Sequence, residues 1–190
     1  VAAQTIAGLP RNRMFSSGTV LDTSRLRLLL AREAHVLMTS VHATIIGEHG
    51  DSEFPVWSNA TIGPVPIREW EISGRPVFTE EFLAAATDDV VNAAYKVIEG
   101  KGATNYAIGL AGVRIIEAVL NAENAVLPVA ATLDGEYGIS GVALSLPSIV
   151  GHNGVYKMLE MPLDEAETGK LMASAETLQN TLTSLGIRSA

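Results

Sequence analysis

Three ionisable residues in the first third of this 190-residue chain have the types and setting for proton transfer on a small acid: His49, Asp22 and Arg25. Imidazole titrates near neutral pH, and a neighbouring carboxylate raises its pKa and keeps it charged as a general acid. His49 lies in Ile-Gly-Glu-His-Gly-Asp-Ser-Glu-Phe-Pro-Val-Trp-Ser, residues 46 to 58, where Gly47 and Gly50 bracket the Glu-His pair and let the backbone turn sharply. Asp22 is the acid best placed to orient that histidine, because its helix follows a turn and its side chain points back toward the chain entry. Arg25 shares a helix face with Asp22 and offers a planar fork suited to bidentate binding of a carboxylate. A plainer reading of the same residues is a solvated loop histidine and a local Asp22–Arg25 ion pair favoured by the helix dipole.

Other chemistries find less support. The sequence has no serine motif of hydrolase type and no phosphate-binding glycine loop. It has no cysteine, which removes disulfides, thiolate catalysis and Cys-ligated metals and fits a cytoplasmic protein. His35, His42 and His49 recur every seven residues with Glu48 beside the last, and imidazoles and carboxylates do ligate zinc. That spacing runs through a helix end, a strand and a loop, so no metal site is expected. His42, in an apolar strand, reads as a hydrogen-bonded core or interface residue. A net charge of −8 without a Lys/Arg cluster argues against nucleic acid or anionic lipid as partner. No apolar run reaches the ~18 residues of a membrane span.

The elements that must position these residues follow from periodicity. A buried helix is expected over 21–33, then a strand over 41–46, the His49 loop, and a second strand over 56–62. Pro64, Pro66 and Pro76 make 63–77 a loop or irregular excursion. One helix is expected from Thr79 to Gly100, and another over 103–120 that is apolar on nearly every side, hence central to the fold or covered by a partner. Strands over 126–133, 142–146 and 156–161, separated by Asp134-Gly135, Pro147 and residues 151–154, suggest an antiparallel meander. Asp164 with Glu167 resembles a capping box, opening an amphipathic helix striped by Leu171, Ala175, Leu178, Leu182 and Leu185. With 47% apolar and 18% charged residues, the chain reads as one α+β domain over 1–190, a mostly antiparallel sheet packed by long helices. It opens at Val1 on what reads as the end of a helix closing at Gly8 and Pro10, so it is expected to begin inside a larger protein.

Four motifs together carry a resemblance: Gly-Thr-Val-Leu-Asp-Thr-Ser-Arg-Leu-Arg at 18 to 27, Gly-Glu-His-Gly-Asp-Ser-Glu-Phe-Pro-Val-Trp-Ser at 47 to 58, Lys-Gly-Ala-Thr-Asn-Tyr-Ala-Ile-Gly at 101 to 109, and Leu-Asp-Gly-Glu-Tyr-Gly followed by Leu-Ser-Leu-Pro-Ser-Ile-Val-Gly. In order and spacing the chain resembles the L-lactate dehydrogenase family, bacterial type, and within it the C-terminal catalytic domain shared by lactate and malate dehydrogenases. The resemblance implies that His49 is proton donor and acceptor, giving a proton to the pyruvate carbonyl as hydride arrives from NADH. It implies that Asp22 is the carboxylate partner of His49, that Arg25 holds the substrate carboxylate, that Thr104 lines the substrate pocket and that Ile108 packs near the nicotinamide ring. Arg27 and His42 match the pair that binds fructose 1,6-bisphosphate between subunits in bacterial members. An allosteric homotetramer of glycolysis and fermentation, acting on pyruvate and L-lactate with NAD, is the implied whole. The glycine fingerprint, ribose-binding acid and mobile arginine loop of the family's Rossmann half have no counterpart in the sequence, which makes 1–17 the tail of that half and the isolated chain inactive. The alternatives are a malate or 2-hydroxyisocaproate dehydrogenase, or a non-catalytic module for assembly or sugar-phosphate binding.

Overall fold

The structure, a computed structural model, describes residues 1–187. The first part of the chain runs α1 (Ala2–Ala7), β1 (Phe15–Ser16), α2 (Val20–Glu33), β2 (Val41–His42), β3 (Ile45–Ile46), β4 (Phe54–Pro55), β5 (Thr61–Ile62) and β6 (Val65–Pro66). There follow β7 (Glu71–Ile72), β8 (Arg75–Pro76), α3 (Glu80–Val91), α4 (Ala93–Lys101) and α5 (Tyr106–Leu120). The last part is β9 (Ala125–Asp134), β10 (Ser140–Gly151), β11 (Gly154–Met158) and α6 (Glu165–Ser184).

The main sheet has the order β1-β9-β10-β11 and is antiparallel throughout. The expected meander is its β9-β10-β11 part. Pro147 does not end a strand as expected: it sits inside β10 opposite Pro128. Neither proline has an N–H to lose from the ladder, and both carbonyls are used, Pro128 by the Thr19 N–H and Pro147 by the Leu159 N–H. β1 closes the outer edge, a pairing that its two residues could not announce.

Elsewhere the sequence-based boundaries need correction. The strand expected over 41–46 is two short strands in different sheets, β2 with β5 and β3 with β4. Between them the Ala43 carbonyl takes the Arg27 Nε–H and the Thr44 carbonyl takes the Val56 N–H, so continuous pairing is broken. The strand expected over 56–62 is interrupted by a 3-10 turn at Trp57–Asn59, where the Ser58 N–H goes to Glu167. The excursion over 63–77 contains the second strand of the β5–β6 hairpin and the whole β7–β8 hairpin, with Pro66 and Pro76 in two-residue edge strands. The long helix expected to reach Gly100 breaks at Asn92, whose backbone N–H and side-chain amide both donate to the Asp88 carbonyl.

Two apolar clusters form the core, and α2 and β3 lie on the seam between them. Val20 packs with the main sheet, α5 and α6, whereas Leu26 and Leu30 pack with α3 and the small sheets. β3 does the same in two residues: Ile46 joins the first cluster and Ile45 the second, since successive strand side chains point to opposite faces. Two threonines lock this seam. Thr19 Oγ1 donates to the Ile45 carbonyl at 2.6 Å, and the Ile45 N–H donates to Thr23 Oγ1 at 3.0 Å. Thr19 occupies the N-cap position of α2 yet makes no cap bond, because its hydroxyl serves β3. α5 buries Ala111 and Ala118 against the first cluster and leaves Tyr106, Leu110 and Leu120 bare, so of the two expectations for this helix it is not the one of a fully central element.

Candidate active site

The first turn of α2 and the loop after β3 meet at the seam. Asp22, 2% exposed, stands in that first turn, where the helix N-terminus favours an acid. Gly47, at φ 100, exchanges two backbone hydrogen bonds with Ser145 of β10 and turns the chain out of β3. The left-handed φ favours glycine, and a Cβ there would lie 3.1 Å from Ser174 Oγ, tighter than ordinary contact. From this base the loop presents His49, whose side chain is 54% exposed.

His49 Nδ1 lies 3.1 Å from Asp22 Oδ2 and 3.0 Å from Glu53 Oε2. Carboxylates accept and do not donate, so Nδ1 carries the proton and Nε2 is the nitrogen free to exchange one. Asp22 and then Glu53 raise the imidazole from its ordinary 6.5 to about 10, with burial opposing. By bonding geometry the order reverses. The Nδ1–H bond meets hydrogen-bond geometry at Glu53, while Asp22 Oδ2 is buried without a hydrogen bond. Direction decides which oxygen the N–H points at, and charge decides how tightly the proton is held. Burial pushes the Glu53 carboxyl up, and its bond to His49 pulls it back.

Asp22 Oδ1 accepts from Arg25 Nη1 at 3.0 Å. Nε and Nη2 of Arg25 have no protein partner among the described residues, which leaves a second edge of the fork for an anion. Arg25 also lines an open cavity of about 420 Å³ with Thr104, Lys101, Asn105 and Tyr106, at the junction of α4 and α5. His49, Asp22, Arg25 and Thr104 are therefore linked in space, although 82 residues separate the first and last of them (104 − 22). Ile108, in the first turn of α5, is half-buried against the main core cluster. Arg27 and His42 lie at a different place. Arg27 is fixed through Nε to the carbonyl of Ala43, next to the exposed His42, and burial lowers its pKa.

The three histidines weighed as metal ligands do not come together as a group. Among the described residues the set with metal-binding spacing is Asp22, His49 and Glu53, and it includes neither His35 nor His42.

Two features escape the sequence reading. Glu53 lies in the His49 loop with one signal of its burial in the sequence, an acid immediately before the apolar run Phe54-Pro55-Val56, where a buried strand begins. Glu48, the sequence neighbour of His49, instead accepts from Ser52 at 2.7 Å, and its N–H donates to Ser174 Oγ of α6 at 2.7 Å. α6 grips the other end of the segment through Glu167, which takes both the N–H and the hydroxyl of Ser58. The expected capping box is present: Asp164 accepts the Glu167 N–H and Glu167 accepts the Asp164 N–H.

Residues 19–185 match the model of the lactate/malate dehydrogenase alpha/beta C-terminal domain. The chain is 47% identical over 185 residues to L-lactate dehydrogenase of Bifidobacterium animalis subsp. lactis, covering 97% of this chain and 58% of that protein. It is 45% identical over 182 residues to L-lactate dehydrogenase of Lacticaseibacillus casei, covering 96% and 56%. The crystal structure of minor L-lactate dehydrogenase from Enterococcus mundtii in its ligands-bound form superposes with a TM-score of 0.90 at 41% identity, over 95% of this chain and 57% of that one. The chain thus spans somewhat more than half the length of the relatives it matches. By sequence and by fold, it belongs to the lactate/malate dehydrogenase family and carries that family's alpha/beta C-terminal domain.

Proposed function

We propose that this chain is the substrate-side domain of an NAD-dependent L-lactate dehydrogenase that interconverts pyruvate and L-lactate. The observation that carries the reading is the linked set His49, Asp22 and Arg25: an acid 3.1 Å from its counter-charge, which in turn holds a carboxylate-binding fork that lines a cavity with Thr104. Arg25 would bind the substrate carboxylate through its free edge, with Thr104 against the substrate side chain. His49 would give a proton from Nε2 to the ketone oxygen and take it back from the hydroxyl in reverse, while Nδ1 stays protonated against the carboxylates.

The nicotinamide supplies or accepts the hydride when NAD is bound. The half-buried Ile108 offers apolar surface for the nicotinamide end only. The sequence has no Gly-x-Gly-x-x-Gly, and the main sheet is antiparallel, so the nucleotide end has no seat on these residues and no step is assigned to it. Turnover therefore belongs to the whole enzyme, and the isolated chain is expected to be inactive. We assign Arg27 and His42 to the phosphates of fructose 1,6-bisphosphate, as a guanidinium already braced by a backbone carbonyl beside an exposed imidazole. The bare face of α5, with Leu110 73% exposed, supports assembly as a homotetramer. No helix among the described residues is long and apolar enough to cross a membrane, and a cytoplasmic site of action goes with this reading.

Pyruvate-dependent NADH oxidation by the whole enzyme, with the intact mass checked on the same sample, tests the proposal. Turnover that disappears in His49→Asn supports it. Turnover retained by a folded His49→Asn enzyme overturns it.

A further inference from the structure

We propose that Glu48 is a positioning residue for His49 that works by shape: its carboxylate, tied through Ser52 and Ser174 to α6, fills the space beside Gly50, so the backbone on both sides of His49 is held. This rests on the reading of His49 as the proton donor and acceptor.

The tie is a closed ring of hydrogen bonds that begins and ends on Glu48. Its backbone N–H donates to Ser174 Oγ at 2.7 Å, and its Oε2 accepts the Ser52 hydroxyl at 2.7 Å. The two serine oxygens are 3.0 Å apart. A hydroxyl has one proton and Ser52 gives its own to the carboxylate, so Ser174 donates to Ser52. Ser174 is fully buried in α6, which anchors the ring in the core rather than in solvent. Both ends of the residue before His49 are thereby fixed to one side chain of the last helix.

The carboxylate then shapes the turn. A Cβ built on Gly50 would lie 2.6 Å from Glu48 Oε1, 3.2 Å from its Cδ and 3.3 Å from Oε2. The place a side chain would take at Gly50 is therefore filled by Glu48, and His49 stands between the two residues that meet. An untethered glutamate would swing aside for a methyl group; this one must release Ser52 to do so. Its charge is not what His49 uses. The carboxylates that act on the imidazole are those of Asp22 and Glu53, and Asp51 is bonded by Tyr95 of α4. The acid adjoining the proton donor in sequence thus braces the turn, while its charge faces the serines.

Variants of the whole enzyme test this in two ways. Glu48→Gln keeps an oxygen for the Ser52 hydroxyl and nearly the same shape, so kcat should stay within about threefold of wild type, with its pH dependence unmoved. Glu48→Ala removes the brace and should lower kcat about tenfold or more, with KM for pyruvate held because Arg25 is untouched. A Glu48→Gln enzyme that loses as much kcat as Glu48→Ala, or whose pH limb moves, overturns the proposal in favour of a role for the charge. Gly50→Ala supplies the second arm, because its methyl group meets the carboxylate. It should lower the urea midpoint of wild type, and lower that of Glu48→Ala by about half as much or less. Equal shifts in the two backgrounds overturn the packing contact. If Glu48→Ala does not fold, Ser52→Ala takes its place as the background, since it frees the carboxylate to swing aside. Coupled midpoints with kcat unchanged in the folded background variant would keep the contact and overturn its positioning role. A wild-type enzyme with no turnover would sink the dehydrogenase reading, while the urea midpoints would still decide on the contact of Glu48 with Gly50.

Discussion

Ser174 Oγ accepts the backbone N–H of Glu48 at 2.7 Å, so the last helix of the chain holds the residue next to His49. Ser174 is fully buried, and its hydroxyl also lies 3.0 Å from Ser52 Oγ. Ser174→Ala would leave the half-buried Glu48 N–H without its acceptor, a loss of about 0.5–1.5 kcal/mol for one hydrogen bond. Urea unfolding measures that loss. In the whole enzyme the same variant should lower kcat more than it raises KM, because Arg25 is untouched while the His49 loop loosens. A stability within error of wild type would show that the hydrogen bond contributes nothing net.

Arg25→Lys separates charge from geometry. Lysine keeps the positive charge but loses the planar fork, which here serves Asp22 with Nη1 and leaves another edge for substrate. KM for pyruvate is expected to rise about tenfold or more, on the scale of one lost charge-assisted hydrogen bond. Steady-state kinetics against pyruvate concentration check this. An unchanged KM would remove Arg25 from substrate binding and leave it only the ion pair with Asp22.

The raised pKa of His49 makes a statement about stability. A base whose pKa is higher folded than unfolded contributes stability that is complete below the unfolded value, 6.5, and is lost as pH rises through the folded value, about 10. The imidazole is half-exposed, so solvent screens the contribution and only its direction is predicted. Urea midpoints of wild type minus those of His49→Asn should fall steadily between these two pH values. A difference that is flat across this range would mean that His49 is not held charged by Asp22 and Glu53.

The parts of this structure legible in the sequence are those whose cause is local. The capping box at Asp164 and Glu167 and the stripe beginning at Leu171 and Ala175 specify α6 without reference to anything else. The glycines around His49 likewise declare a turn. β2 and β3, by contrast, exist because Thr61–Ile62 and Phe54–Pro55 come back to pair with them, and two residues carry no period of their own. For the same reason Asp22 and His49 could be matched as a pair by chemistry, but Glu53 could not be given a role. Its burial depends on β4 turning inward beneath the loop, and its bond depends on the direction of one N–H. Thr19 shows the opposite failure: it stands where a cap is expected, and the tertiary contact with Ile45 takes its hydroxyl instead.

Glu167 joins helix capping to the site more directly. Its carboxylate accepts three donors, the Ser58 N–H, the Ser58 hydroxyl and the Asp164 N–H, from a position 5% exposed. Asp164→Ala removes only the cap, at a cost of about 0.5–2 kcal/mol. Glu167→Gln replaces one acceptor oxygen with an amide donor, which must face an N–H or hydroxyl that had been donating. That orphans a buried group at about 1–3 kcal/mol, besides weakening the cap. Glu167→Gln is therefore expected to lower the urea midpoint more than Asp164→Ala does, and to slow turnover in the whole enzyme by freeing the C-terminal end of the His49 segment at Ser58. Equal losses of stability in the two variants would mean that Glu167 acts as a helix cap alone and that the Ser58 contacts do not hold the loop.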